Sequence, residues 1–180
     1  MKGRDRRMNF QFYMMTQSDA EQIALWHYDG EFSFYDMEND PDDLRELLSP
    51  DERADSYWSA YSDGVLTGFV CIQPNGFAAE IGLGLRPDLT GKGLGSSFLQ
   101  AIEQLTPCLF PAVSELSLAV AAFNLRAQKV YKRAGFLVYG QKTVETNGGQ
   151  YPFVRMKKQL STANKITASF LQSEASKEQR

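Results

Sequence analysis

The sequence predicts an α/β fold in a single domain, and three observations carry that prediction. Apolar strand-like runs alternate with helix-periodic segments along most of the 180 residues. Turn signals separate them at Ser62-Asp63-Gly64, Pro74-Asn75-Gly76 and Asn147-Gly148-Gly149. With 43% hydrophobic residues, a chain of this length can bury one sizeable core.

In chain order, residues 8–15 are apolar and aromatic enough for a first strand. Ser18-Asp19 reads as a helix start, with Glu21 in the first turn and Ile23, Ala24 and Trp26 on the apolar face. Residues 28–37 are aromatic and acidic without a clear period, and are expected as loop. Asp40 is an N-cap with Pro41 at the first helical position, opening a short helix through Leu47-Leu48. Residues 56–61 and 65–73 form a hairpin, and residues 78–85 the next strand.

A helix from Ser96 places Phe98, Leu99, Ile102 and Leu105 on one face, and Pro107 is expected to stop it. Residues 116–120 are a short buried strand. Asn124 starts a helix that Gly135 ends as a C-cap glycine. Strands 136–146 and 151–158 close the domain, assigned to residues 1–158. Residues 159–180 are a polar extension, disordered or a short helix around Ile166, Phe170 and Leu171.

The most informative stretch runs from Leu85 to Ser96. An apolar strand ends at Pro87, and a loop follows with Gly91, Gly93 and Gly95 at every second position. Glycines let backbone N–H groups approach a ligand without a Cβ in the way. A helix starting directly afterwards adds unpaired N–H groups and its positive dipole end, so the loop suits an anion such as phosphate. A Walker-type loop needs Ser or Thr after Gly-Lys, and Gly93 stands there. The dinucleotide fingerprint needs glycine at Ser96 and a strand that opens a βαβ unit. Neither nucleotide loop is spelled here.

Thr90-Gly91-Lys92-Gly93-Leu94-Gly95, preceded by Leu85-Arg86-Pro87, instead resembles the pyrophosphate loop of the GNAT acetyltransferases, Gln/Arg-x-x-Gly-x-Gly/Ala. The later run from Asn124 through Ala127, Tyr131 and Gly135 to Phe136 resembles the same family's Asn-x-x-Ala-x-x-x-Tyr-x-x-x-Gly-Phe helix. Two motifs in order and at the expected spacing make the resemblance specific over about residues 57–158, and Thr90 is its one departure in the loop. It implies a GNAT-type fold: a mixed, mostly antiparallel central sheet of six to seven strands flanked by about four helices, with acetyl-CoA held between two splayed strands.

Composition excludes other classes. No apolar run approaches the roughly 20 residues of a membrane span. The basic residues 1–7 lack the apolar segment of a secretory signal. Cys71 and Cys108 form no C-x-x-C pair and are expected as reduced, buried thiols of a cytoplasmic protein. A lone histidine, His27, leaves little material for a metal site or a Ser-His-Asp triad, so no metal is expected. Net charge is −3, which argues against a nucleic-acid partner. No membrane partner is expected, and the chain reads as monomer or homodimer. Residues 29–55 hold eleven acids and two bases, a local −9, which leaves +6 for the rest.

Acetyl transfer from a thioester to an amine needs a polarised carbonyl, a neutral attacking amine and a protonated or stabilised thiolate. The resemblance maps strand donors to Leu83, Gly84 and Leu85, and the pyrophosphate cradle to Thr90, Gly91, Lys92, Gly93, Leu94, Gly95 and Ser96. Asn124 and Ala127 then contact the coenzyme, and Tyr131 lies near its sulfur as general acid. A phenol with an ordinary pKa of about 10 is protonated at pH 7 and can donate. Tyr131 also fits a core tyrosine, and Gly82 and Gly84 fit either a softened strand or close approach by a ligand.

The base is less defined. Some relatives carry a glutamate on the strand before the second motif, where this chain has Leu118-Ala119-Val120. Glu80 is the alternative, as a base acting through water or as a solvated strand-end acid. The acids Asp29, Glu31, Asp36 and Glu38, interleaved with Phe32, Phe34 and Tyr35, suit attraction of a cationic amine or an ordinary solvated face. The expected function is N-acetyltransfer from acetyl-CoA directly to a primary amine of a small molecule or peptide. The alternative is a catalytically silent acyl-CoA-binding module.

Overall fold

A computed structural model describes residues 8–161. Its centre is a seven-stranded sheet in the order β1-β2-β3-β4-β5-β7-β6. The strands are β1 (Gln11–Met14), β2 (Tyr57–Ser62), β3 (Val65–Asn75), β4 (Ala78–Leu85), β5 (Glu115–Ala121), β6 (Leu137–Thr146) and β7 (Gly149–Gln159). The helices are α1 (Gln17–Ala24), α2 (Pro41–Leu48), the single turn α3 (Pro50–Arg53), α4 (Gly95–Leu109) and α5 (Leu125–Arg133). Every strand pair is antiparallel except β4 with β5. None of the described helices is long and apolar enough to cross a membrane.

Residues 66–72 of β3 are all buried, because helices cover both faces of this central strand. Val70 and Ile72 point toward α4, where they meet Phe98, Leu99 and Ile102 together with Ile81, Leu116, Leu118 and Met156. Leu66 and Phe69 belong to a second cluster with Met15, Ala20, Ile23 and Leu47. Two cores therefore lie on opposite faces of one sheet.

Several local expectations need correction. Thr16, not Ser18, caps α1: its hydroxyl accepts from the Asp19 N–H while the Asp19 carboxylate accepts from the Thr16 N–H. Residues 28–37 are not plain loop; Gly30–Tyr35 is a 3₁₀ helix and Met37–Asn39 another, and three residues per turn leave no α-helical period to read. α4 starts at Gly95, one residue before the expected Ser96, and Pro107 sits inside it. That proline forfeits only its own N–H bond, and the Phe110 N–H still reaches the Thr106 carbonyl at 2.8 Å. Asp40, Asn124 and Gly135 (φ +94°) mark helix ends as expected. Asn147 and Gly148, both at positive φ, form the last hairpin turn, and Gly149 already belongs to β7.

β7 runs from Gly149 to Gln159, longer at both ends than the expected 151–158, and Leu160 beyond it is buried. Residues 1–7 and 162–180, including Ile166, Phe170 and Leu171, lie outside the described residues.

Candidate active site

β4 and β5 pair over only three positions, Ala78–Glu115 to Glu80–Ser117. Beyond them each strand stays with its outer neighbour: β4 follows β3 to the Leu85–Gly68 pair, and β5 follows β7 to the Ala121–Phe153 pair. The two therefore splay, and a cavity of about 760 Å³ opens along the gap. Leu83, Gly84 and Leu85 line it from β4, with Leu118, Ala119 and Val120 opposite.

The glycine loop closes one end. Arg86 grips the Asp88 carboxylate at 2.6 Å and the Leu66 carbonyl at 2.9 Å, holding the Pro87–Leu89 turn against β3. Gly91 and Gly93 adopt φ of +73° and +79°, which a side chain would resist. Thr90, Gly91, Gly93, Leu94 and Gly95 line the cavity, whereas Lys92 and Ser96 are exposed and do not. The Thr90 hydroxyl donates to the Pro87 carbonyl at 2.8 Å, so its side chain is committed to the turn. Leu94 caps α4 without a side-chain hydrogen bond, leaving the first-turn N–H groups uncapped by any side chain. A Cβ on Gly95 would stand 3.2 Å from Val130, so this glycine sets the closeness of α4 to α5.

α5 supplies the next wall. Ala127, Val130 and Tyr131 line the cavity, flanked by the basic Arg126, Lys129 and Arg133, which sequence reading did not single out. Their signal was the spacing: 126, 129 and 133 follow a helical row beside the motif. The Asn124 side chain accepts from the Ala127 N–H at 3.0 Å and donates to the Tyr35 hydroxyl at 3.1 Å. Tyr131 is half-buried, and its hydroxyl makes no hydrogen bond among the described residues. Burial pushes its phenol well above the ordinary range, and the neighbouring Tyr35 adds to the rise. Burial raises Tyr35 likewise, against hydrogen bonds from Asn124 and the Ala121 N–H.

The opposite wall comes from the acidic segment. Phe32, Phe34 and Tyr35 line the cavity, but Asp29 and Glu31 do not: both side chains are exposed on the outside of the 3₁₀ turn. The acids on the wall are Asp36, Asp40 and Asp43. Asp36 is buried and accepts from the Tyr28 N–H at 2.8 Å, with His27 Nδ1 at 3.1 Å. Asp40 caps α2 and accepts from the Thr146 hydroxyl, which holds its carboxyl below the ordinary range. The Asp43 N–H donates to Asp40 Oδ1 at 3.2 Å, but its carboxylate has no hydrogen-bond or salt-bridge partner among the described residues, and partial desolvation with the nearby Asp40, Glu46 and Asp42 raises its pKa. Glu80 lies off the cavity wall, exposed, with its carboxylate 3.9 Å from Lys142 Nζ.

Besides the Thr146–Asp40 bond, three staples fasten this segment across the gap. The Tyr28 hydroxyl donates to the Leu85 carbonyl at 3.0 Å, the Asn147 amide to the Phe34 carbonyl at 2.7 Å, and Asn124 to Tyr35. Phe34 packs on Tyr151 and Phe123 at 5.0 and 5.3 Å between ring centres. Among the described residues, one group brings metal-type ligand atoms within 4.8 Å of one another, namely His27, Asp36 and Glu38. Both Asp36 oxygens there already serve Tyr28 and His27.

Known structures share this architecture. A Vibrio cholerae spermidine N-acetyltransferase solved with CoA and spermine superposes with a TM-score of 0.65 at 18% identity, covering 84% of this chain and 95% of that one. The acetyltransferase AAC(6')-Ib, solved with ribostamycin and coenzyme A, gives 0.64 at 23% identity over 84% and 93%. A GNAT-family acetyltransferase from Bacillus anthracis gives 0.65 at 14% over 86% and 96%. No curated protein matches the sequence. The family model for the acetyltransferase (GNAT) family matches residues 20–136, a span that contains the splayed strand, the glycine loop and the Asn124 helix, and the chain belongs to that family.

Proposed function

We propose that this protein is an N-acetyltransferase that moves an acetyl group from acetyl-CoA directly to a primary amine, with a cationic amine as the preferred acceptor. The observation that carries the reading is the splay. It leaves the facing edges of residues 81–85 and 118–121 without a strand partner, beside a loop of positive-φ glycines and a phenol with no internal partner. Leu83, Gly84 and Leu85 offer backbone groups to the pantetheine arm and the acetyl oxygen. The loop N–H groups, with Arg126, Lys129 and Arg133 close by, offset the pyrophosphate charge.

In the step itself, the amine lone pair attacks the thioester carbon and the C–S bond breaks with its electrons on sulfur. Tyr131, kept protonated by its burial, gives the thiolate a proton. The attacking nitrogen gives up one proton, so the balance is amine plus acetyl-CoA to amide plus CoA. Cys71 lies on the cavity wall, but burial pushes its thiol up to about 11, which leaves it protonated and supports transfer without a thioester on the enzyme. Glu80 lies off the cavity wall, so the acid assigned to an incoming amine is instead Asp43, which lines the wall with a carboxylate free of hydrogen-bond partners among the described residues. The structural neighbours solved with spermine and ribostamycin are bound to polycations, which supports a cationic acceptor here.

A panel of polyamines, aminoglycosides and peptide N-termini, read by release of free CoA, tests the reading. Turnover with at least one amine supports it. Tight acetyl-CoA binding without turnover on any acceptor identifies the silent binding module instead.

A further inference from the structure

Of the polar contacts that tie the acceptor-side segment across the gap, the one at Asn124 reaches the helix that carries Tyr131, and its direction is fixed by chemistry. An amide nitrogen can only donate, so in the 3.1 Å contact between Asn124 and Tyr35 the phenol oxygen is the acceptor. The Tyr35 proton must then go elsewhere, and no described residue accepts it. The ring is held against Phe34 and Phe123, with centres 5.3 and 6.1 Å away, and Tyr35 lines the same cavity as Tyr131. Tyr35 is close enough to Tyr131 that its charge helps to raise the Tyr131 phenol.

Resting on the acetyltransferase reading above, we infer that Tyr35 is a second proton donor to the departing sulfur, held in place by the Asn124 amide and sharing that role with Tyr131. When the C–S bond breaks, the electron pair on sulfur meets two phenol O–H groups rather than one. One proton transfers, and the other O–H hydrogen-bonds to the new thiol or to the phenolate. The phenolate then regains a proton equivalent to the one released by the amine. This arrangement explains why a residue of the acceptor segment, 89 positions away in the chain, is tied to the N-cap of the helix that carries Tyr131.

Two donors to one atom compensate for each other, which a purely structural tyrosine does not do. Tyr35→Phe retains the packed ring, and acetyl-CoA Kd by calorimetry, expected within about threefold of wild type, checks the fold and the donor site. CoA release is measured with an amine and with water as acceptor, so that sulfur departure is read even where the amine is a poor one. Tyr35→Phe is expected to lower kcat about threefold in the wild-type background and about thirtyfold in the Tyr131→Phe background, because the remaining acid then has no substitute. An equal or smaller effect in the Tyr131→Phe background overturns the shared role. If the wild-type protein releases no CoA with either acceptor, the acetyltransferase reading itself fails and takes this role with it, a result distinct from an active enzyme indifferent to Tyr35.

Discussion

Gly84→Ala separates two reasons for a glycine in the β4 wall of the cavity. A Cβ at this position would lie 2.5 Å from Cε1 of Phe69 and 3.1 Å from its Cζ, across the β3–β4 pair in which the two residues face each other. Ordinary carbon contacts are about 3.5–4.0 Å, so the ring must retreat by roughly 1 Å. Phe69 is buried in the cluster with Ile23 and Leu47 and packs on Trp26 at 6.2 Å, so that retreat is resisted. Overpacking of this kind costs about 1–3 kcal/mol. At about 2–4 °C per kcal/mol for a domain of this size, Tm should fall by roughly 3–10 °C.

Thermal unfolding of Gly84→Ala, Phe69→Leu and the double variant gives the test. Removing the ring should abolish most of the cost of the added methyl, giving a coupling of about 1 kcal/mol or more. A Gly84→Ala protein as stable as wild type, yet unable to bind acetyl-CoA, would refute the packing argument and show that the glycine clears space for ligand alone.

Tyr131→Phe should lower kcat by about 10²-fold, the low end for a lost general acid, while acetyl-CoA Kd stays nearly unchanged; lost affinity at full kcat would make it a binding residue. Neutralising Asp36, Asp40 and Asp43 together should raise the KM of a cationic amine several-fold at low salt and less at high salt, and an unchanged KM removes the steering role. Asp19 is buried; burial pushes its carboxyl upward, but hydrogen bonds from Tyr61, Ser59 and Thr16 outweigh that and hold it below the ordinary range. Its folded pKa being the lower one, the stabilisation is present above the unfolded value of about 4 and is lost as pH falls through the folded value. Asp19→Asn should therefore cost about 1–3 kcal/mol at pH 7, with a gap from wild type that narrows toward pH 3 in urea unfolding. A gap independent of pH contradicts this assignment.

What the sequence made legible was what neighbouring residues decide. The Asn124 cap, the Asp40-Pro41 helix start and the Gly135 stop depend on backbone chemistry within a few positions and stand as expected, and Gly91 and Gly93 take the positive φ that glycine permits. The Thr16 cap was missed because its partner at N3 is Asp19 rather than glutamate or glutamine. Gly84 fitted either a softened strand or close approach by a ligand, because Phe69, the ring that faces it, comes from the neighbouring strand. The acids suffered most. Which of them face the cavity depends on the phase of two 3₁₀ turns, so Asp29 and Glu31 point outward while Asp40 and Asp43 line the wall from the start of α2. Tyr35 was placed on the acceptor side from its aromatic company, but its bond to Asn124 joins segments that only the folded chain brings together.

The three-position seam between β4 and β5 makes the sheet a book with a short spine. Strands β1 to β4 form one cover and β5 to β7 the other, each internally zipped by antiparallel ladders. Along the open fore-edge, amide protons of residues 81–85 and 118–121 that face the gap should exchange with solvent faster than those bonded to β3 and β7. A molecule lying in the gap takes the place of the missing rungs. Ligand occupancy and resistance to opening thus become one equilibrium, worth about 2.7 kcal/mol at a hundredfold excess over Kd. The protein would then be most rigid when it is loaded, and the slowing of exchange along those two edges would map the ligand residue by residue.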